Sequence, residues 1–346
     1  INNTMRFKEM NYFCQVLIVF FLSACQSAPT SQLLSDRFQH QETVQLIEVN
    51  YPADSLGKPD FIYSFGDWIV LSEPHYDDLL SVYNMRTGAF QRFLKKGRGA
   101  NELLDVQHIG ASFEDACFFV KSTFGAEIYI YTLSNDSAVL QQKIKTPEDL
   151  VSMFWDDTSI VSSQYGQQRY SVCDTEFGTC REFGDSITFR DFPQRTISHI
   201  LQGLCTGSAA LHRMAWFSIY GDAFEIYDYK QFSRITQYVG ILPIVDVQQN
   251  QPNFSLDSKL GVPSVTSNDE YIFVLYNEKT LREALTLRDD VFLSQKLLIF
   301  DWKGNPVKLL KMNQSLRSIS YNKQQHLLYG IGYDDASIGK IYTIDF

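Results

Sequence analysis

The sequence has few of the residues and spacings from which common enzyme sites are built. It contains 6 histidines and 6 cysteines in 346 residues, and none of them has the spacing of zinc ligands. No serine lies in a Gly-x-Ser-x-Gly motif. The 30 lysines and arginines are scattered along a chain of net charge -10, which would repel DNA or RNA. We therefore exclude a nucleic-acid partner and expect neither a metal nor a cofactor.

Extended helical patterns are also scarce, whereas aromatic residues are abundant. The chain holds 26 phenylalanines and 19 tyrosines, and 45% of its residues are hydrophobic. Aromatic residues beside Val and Ile fit a pleated, half-buried surface better than a helix. The composition therefore predicts an all-β protein with a large core, built as one large domain or as two ordinary ones.

The N-terminal residues have the layout of a secretion signal. Arg6 and Lys8 precede the apolar run "YFCQVLIVFFLSA", which is too short for a membrane span. The run ends in "LSAC", which resembles the lipobox of bacterial lipoproteins and implies that Cys25 is lipidated. We expect a signal peptide at 1–24, a lipid-anchored polar linker at 25–41, and a protein held to the membrane through its N-terminal lipid. The following "QSAPTSQ" has no acidic cluster, which favours the periplasmic side of the outer membrane over the cell surface.

Four cysteines remain beyond the signal segment. Cys173 and Cys180 flank "DTEFGT", so in a hairpin they would face each other. An oxidising compartment would allow a disulfide there, and two free core thiols are the alternative. Cys117 and Cys205 lie in apolar or loop contexts and are expected to be structural.

A repeated unit is the strongest signal in the chain. It consists of an apolar strand, a tight turn and a second strand, each time preceded by another hairpin pattern, as expected for a four-stranded propeller blade. The six copies are 79–97, 127–145, 169–185, 224–240, 296–312 and 340–346. The last copy lacks its outer strand, and the alternating segment "ETVQLIEVNY" (42–51) is the natural replacement. We predict a six-bladed β-propeller over 42–346, closed by this N-terminal strand; a β-sandwich or two unrelated β domains is the alternative.

Three phrases carry a family resemblance. "LLIFDWKGNPVKLLKM", "SISYNKQQHLLYGI" and "FLKKGRGANELLDV" resemble the TolB-like six-bladed propeller lipoproteins of Bacteroides and relatives. The resemblance implies the fold and a place in the cell envelope, but no catalytic residues. The family's usual Gly-Pro-Gly-Glu is replaced here by a stretch that keeps only Glu102.

Loop lengths separate the two faces of the predicted propeller. The four strands of a blade are named a to d in chain order. The turns between strands a and b and between strands c and d are short, whereas the connections from b to c and from d to the next a are long and form an elaborated face. Long loops on a rigid scaffold often carry binding sites. The segment 277–295 among them is expected to hold a short helix. We predict a ligand or partner site on this elaborated face, around the mouth of the central channel. Its candidate residues are His75, Tyr76, Asp77, Arg98, Glu102, Phe124, Tyr165, Arg169, Tyr220, Asp334 and Asp335.

The glycine-rich corner at 93–106 does not match a phosphate-binding loop. Gly97 and Gly99 lack the second half of the P-loop motif, and a strand rather than a helix follows. His108, His199, His212 and Ser318 could face the channel, but they form no recognisable catalytic set.

The sequence predicts a monomeric, non-catalytic envelope lipoprotein that binds or assembles a protein or glycan partner. A metal-assisted hydrolase or lyase acting on polysaccharide or a lactone is the alternative, and a sensor module working with a membrane partner is a third hypothesis.

Overall fold

The computed structural model describes residues 32–346 apart from 52–55, 112–116, 124, 135–136, 147–149, 157–158, 176–177, 186, 188, 190–191 and 249–250. The predicted signal peptide, the lipidation site Cys25 and the candidate Phe124 lie outside the described residues. The described chain begins with a 3-10 helix, Leu34–Arg37, and two short strands, β1 (Gln41–Val44) and β2 (Ile47–Glu48).

Sixteen strands form four separate antiparallel sheets of four strands each. Each sheet is a run of consecutive strands, so the chain completes one sheet before it starts the next. The strands are β3 (Phe61–Phe65), β4 (Trp68–Ser72), β5 (Asp78–Asn84) and β6 (Phe90–Lys95); β7 (His108–Ala111), β8 (Cys117–Lys121), β9 (Glu127–Ser134) and β10 (Ser137–Lys145); β11 (Leu150–Asp156), β12 (Ser159–Gln164), β13 (Tyr170–Asp174) and β14 (Cys180–Phe183); and β15 (Gly203–Ser208), β16 (Arg213–Ser218), β17 (Ala223–Asp228) and β18 (Ser233–Val239).

The C-terminal part of the chain forms one eight-stranded sheet with the N-terminal strands. Its central strand, β24, has 17 residues and pairs along its first half with β23 and along its second half with β25. The strands are β21 (Ser264–Ser267), β22 (Tyr271–Tyr276), β23 (Ser294–Asp301), β24 (Pro306–Asn322), β25 (Leu327–Tyr333) and β26 (Gly339–Ile344). The sequence prediction divided β24 between two copies of the repeat.

The long connections contain small elements of their own. The hairpin β19 (Val245–Gln248) and β20 (Gln251–Phe254), and the helix α1 (Gln194–Ile200), lie in loops for which the sequence predicted no regular structure. The helix expected within 277–295 is α2 (Leu281–Leu287), followed by a 3-10 turn, Arg288–Phe292. Neither α1 nor α2 is long and apolar enough to cross a membrane.

The second strand of each sheet is buried along almost its whole length because both of its faces are covered. Ile69, Val70 and Leu71 in β4 are fully buried, and the same holds for Ile272 and Val274 in β22. Outer strands such as β10 alternate between partly buried and exposed positions. Sheets that pack face to face on both sides require this pattern.

The apolar core consists of clusters, of which five join neighbouring sheets and one lies within the eight-stranded sheet. One cluster holds Val70 and Phe118, from the first and second sheets. Another joins Ile69 to Ile331 and so connects the first sheet to the end of the chain. The first strands also contact one another in chain order, and β24 contacts β3. The sheets therefore surround a central axis, as in a β-propeller.

The N-terminal residues 32–40 pack on the propeller, which differs from the expected polar linker. Leu34 and Phe38 are buried in the cluster between the fourth sheet and β22–β24. The Phe38 ring meets the Phe300 ring edge-on, with 5.0 Å between their centroids. The Leu34 N–H donates to the Tyr276 hydroxyl at 3.2 Å, and Ser35 Oγ donates to Glu278 Oε1 at 2.6 Å. The free part of the predicted linker is thereby shortened.

The predicted strand 42–51 is divided into two parts that pair differently. β1 runs parallel to β24, with Gln41 opposite Leu309. β2 is antiparallel to β26, with Ile47 opposite Thr343. The break follows Val44, where Leu46 N–H bonds to the Asn313 side chain instead of to a strand.

Cys173 and Cys180 lie opposite each other in β13 and β14, and a disulfide joins them. Cys180 lies on an exposed edge strand, so a reductant can reach the bond. The described free cysteines, Cys117 and Cys205, are both buried.

Removing this disulfide should lower the free energy of unfolding by about 2 kcal/mol, because the short loop that it closes restricts the unfolded chain. Denaturant unfolding of the full chain with and without a reductant measures the effect. The double variant Cys173→Ser/Cys180→Ser is the control, since it should not respond to the reductant. An unchanged midpoint for the reduced wild-type protein would contradict the expectation.

Candidate functional site

Most of the predicted site residues that the structure describes lie on the elaborated face, dispersed along its rim. His75 and Tyr76 are exposed in the loop between β4 and β5. The Arg92 guanidinium lies 3.9 Å from the centroid of the Tyr76 ring, and Gly57 makes room for that ring. Tyr76 therefore presents only part of its surface to solvent.

The Gly-x-Gly corner is a turn built around Glu102. The Glu102 carboxylate accepts the Gly99 N–H at 2.8 Å. A Cβ atom on Gly97 would lie 2.0 Å from Glu102 Oε2, and one on Gly99 would lie 2.9 Å from the carboxylate carbon. Both glycines are thus needed to make room for the carboxylate that fixes the turn. Arg98 is exposed beside it.

Two aromatic pairs stand on the same face. The Tyr165 ring stacks on His199 of α1, with centroids 4.3 Å apart, and Tyr220 contacts Phe254 of β20 at 4.6 Å. Burial raises the pKa of both tyrosine hydroxyls. Tyr165 is the predicted site residue that reaches the central axis.

Arg169 is buried between the third and fourth sheets, which corrects its expected position on an exposed loop. Its guanidinium donates to Glu225 Oε2 at 3.0 Å and lies 4.1 Å from the centroid of the Trp216 ring. The same carboxylate accepts the Tyr170 hydroxyl at 2.5 Å. Burial, with the Glu225 charge, raises the pKa of Tyr170 well above its usual value. Arg169 holds two blades together and does not line the channel mouth.

The remaining acidic candidates lie in exposed loops. Asp334 Oδ1 accepts the N–H groups of Ala336 and Ile338 at 3.0 and 2.9 Å, so it shapes the turn between β25 and β26. Asp335 and Asp77 are exposed. The structure therefore does not bring the predicted residues into one constellation.

Two cavities lie on the central axis instead. The larger has a volume of about 630 Å³ and opens on the face of the short a to b turns. The smaller, about 300 Å³, opens on the elaborated face and includes Tyr165. Both are bounded by the inner strands, and the residues between them are Ile62, His108, Ile109, Cys205, Val265 and Ile319.

The larger cavity combines aromatic rings with polar groups. Tyr63, Phe154 and Tyr321 contribute the rings, and Gly207 leaves space for the Phe154 ring, which a Cβ atom would meet at 2.1 Å. Polar side chains from the β21–β22 and β24–β25 turns edge the opening; they are Asn268, Asp269, Glu270, Lys323, Gln324 and His326. Asp269 accepts the Ser208 hydroxyl at 2.7 Å.

Hydroxyl groups along the channel wall accept hydrogen bonds from backbone N–H groups at the inner edges of the sheets. Ser152 accepts the Cys205 N–H at 2.8 Å, and Ser264 accepts the Ile319 N–H at 3.1 Å. An inner strand has an unpaired edge, and its buried N–H groups need acceptors. Ser318 lies within 3.3 Å of Ser264 and belongs to this wall. In the sequence, the alternating Ser and Thr residues of "SVTS" and "SLRSIS" were the pattern that could have predicted this wall of hydroxyl groups.

His108 lines both axial cavities. Its ring stacks on Phe119, with centroids 5.4 Å apart. Burial, together with the Lys121 charge, lowers the pKa of His108 to about 4, so the imidazole is neutral at pH 7. His212, by contrast, is exposed in the turn between β15 and β16.

A family model described as TolB-like 6-blade propeller-like matches residues 42–323. The chain belongs to this family. Its members share the β-propeller fold that the sheets described above build. None of the curated proteins matches the chain.

Solved structures with the same fold include two proteins of Bacteroides. A member of the DUF4221 family from Bacteroides vulgatus is 8% identical, with a TM-score of 0.56, and the match covers 86% of this chain and 96% of that one. A putative exported protein from Bacteroides fragilis is 9% identical, with a TM-score of 0.54, and the match covers 89% and 99%. At these identities the likeness shows the fold alone.

Within the part of the chain that the structure describes, no three His, Cys, Asp or Glu side chains come together in a way that could hold a metal ion.

Proposed function

We propose that this protein is a lipid-anchored propeller of the bacterial envelope that binds a glycan in its larger axial cavity, without catalysing a reaction. The observation that carries the proposal is the cavity of about 630 Å³, lined by aromatic rings and edged by amide and charged side chains. Sugar rings stack on aromatic faces, and a few polar groups fix their orientation.

The proposal includes six blades closed by the N-terminal strand. Four blades are the separate sheets, and the other two would be the halves of the eight-stranded sheet, sharing β24. The pairing of β2 with β26 supports closure, because it supplies the outer strand that the last blade lacks. The core cluster between the first sheet and β25–β26 supports a closed ring.

The envelope location has two supports. One is the leader-like N-terminus with Cys25 at its end. The other is the disulfide between Cys173 and Cys180, which agrees with an oxidising compartment.

Filling the larger cavity should weaken glycan binding. Ala111 lies on the cavity wall at the end of β7 and is exposed, so Ala111→Trp places a bulky ring there without removing a packed side chain. The purified full chain is tested against an array of envelope and dietary polysaccharides, and the tightest ligand is titrated by calorimetry. We expect Ala111→Trp to weaken binding by about tenfold or more through steric exclusion.

Ala336→Trp is the matched control, because Ala336 is exposed in the β25–β26 turn on the opposite face. It should bind like the wild-type protein. Equal affinities for both variants would move the site away from the larger cavity, and Tyr165→Ala would then test the smaller one. A wild-type protein that binds no glycan on the array would overturn the proposed ligand class.

A further inference from the structure

Four large apolar side chains are exposed on the elaborated face near the junction of the fourth sheet and β22, in the loop after β18 and in α2. We call this set the leucine patch; its members are Ile244, Leu256, Leu285 and Leu287. Leu285 is 68% exposed and Ile244 is 51% exposed, although large apolar side chains normally avoid water. α2 buries none of its residues, so it does not stabilise the core in the way an amphipathic helix usually does.

Local contacts hold the leucine patch together. The Arg282 N–H at the start of α2 donates to the Leu256 carbonyl at 2.7 Å, and Leu281 N–H donates to the Ser258 carbonyl at 3.0 Å. The Ser258 hydroxyl in turn donates to the Ile244 carbonyl at 2.8 Å. The segments around Ile244 and Leu256 and the start of α2 are therefore held together by hydrogen bonds.

The N-terminal chain leaves the propeller on this same face. Gln32, the first described residue, accepts the Tyr238 hydroxyl at the end of β18, where the long connection to the leucine patch begins. Ser35 bonds to Glu278, a few residues before α2. Because Leu34 and Phe38 are buried, the chain is fixed from this point onward.

The remaining tether is short. Seven residue steps separate Cys25 from Gln32, and a fully extended chain of that length spans at most about 25 Å. A lipid on Cys25 would therefore hold the elaborated face close to the bilayer, with little freedom to turn away.

We propose that the leucine patch docks on the lipid surface and inserts its side chains at the headgroup–acyl boundary. The inference rests on the lipid anchor of the proposed function. Two cations near the patch are paired, Arg282 with Asp257 at 2.8 Å and Lys58 with Asp290 at 2.9 Å, and the chain carries a net charge of -10, so apolar insertion rather than attraction to anionic lipid drives the contact. In this orientation the larger cavity faces away from the membrane and stays open to its ligand.

The test places a fluorescent probe on each face of the lipidated full-length protein. Leu285→Cys marks the patch, and Leu327→Cys marks an exposed leucine at the start of β25, on the opposite face. The described free thiols are buried, so an environment-sensitive dye reacts with the new cysteine. The labelled proteins are reconstituted into phosphatidylcholine vesicles that contain brominated lipid.

We expect several-fold stronger quenching and a blue-shifted emission at position 285 compared with position 327, with no dependence on salt. Lipidated protein with equal quenching at both positions overturns the docking proposal alone. Mass spectrometry of the Cys25 peptide checks the anchor separately; an unmodified cysteine would overturn both the anchor and the docking, while leaving glycan binding to its own test.

Discussion

Replacing Glu225 with glutamine is expected to lower the free energy of unfolding by roughly 3–5 kcal/mol. Glu225 is fully buried and pairs with Arg169, of which only 2% of the side chain is exposed. It also accepts the Tyr170 hydroxyl and, at 2.8 Å, the Gln237 amide. A neutral amide would leave the Arg169 guanidinium buried without a counter-charge, and its desolvation would no longer be offset.

Denaturant unfolding of the full chain measures the effect, and Asp257→Asn is the matched control. The Asp257–Arg282 pair has the same chemistry, but its side chains are 62% and 60% exposed, so its loss should cost no more than about 1 kcal/mol. In a double-mutant cycle, Arg169→Met with Glu225→Gln should be less destabilising than the sum of the single changes. Equal costs for Glu225→Gln and Asp257→Asn would show that the buried pair does not hold the blades together.

Arg169 also shows why the site prediction from sequence was incomplete. The pattern "SQYGQQR" predicted a polar loop, and the loop is present. The buried partner Glu225, however, lies 56 residues away on another sheet, and no local sequence pattern predicts such a contact. A charged residue in a loop is usually exposed, so the sequence alone favoured the wrong environment for Arg169.

The repeat itself was predictable because its signals are local. Strands β3 and β4 are joined at Gly66, whose φ of 50° lies in the left-handed region that glycine adopts easily. The alternation of apolar strands and such turns is readable in every copy. The continuous β24 was missed because the predicted boundary after Met312 rested on the spacing of the copies. No glycine or proline follows Pro306 within this strand to interrupt it.

Loop length was a poor guide to the larger cavity. The sequence favoured the elaborated face because its loops are long, but the larger cavity opens among the short turns. Its volume depends on how far apart the inner strands stand and on small residues such as Gly207. Both are tertiary properties, and neither changes the hydrophobic pattern of the strands.

Truncating Phe38 to alanine should lower the free energy of unfolding by about 3–5 kcal/mol, as expected for a buried phenylalanine. Only 3% of its surface is exposed, and its ring packs on Phe300 between two sheets. The sequence interpretation made residues 25–41 a polar linker, and a linker residue would contribute almost nothing. The expected loss therefore separates a docked segment from a free tether.

Gln39→Ala is the matched control because Gln39 is the next residue and is exposed; it should change stability by no more than about 0.5 kcal/mol. Unfolding of both variants of the full chain is followed by tryptophan fluorescence. If Phe38→Ala were as stable as Gln39→Ala, residues 32–40 would be free, and the tether from Cys25 would be too long to fix one face of the propeller on a membrane. A large loss of unfolding free energy for Phe38→Ala alone would support a short tether, because the free chain ends where Leu34 and Phe38 are buried.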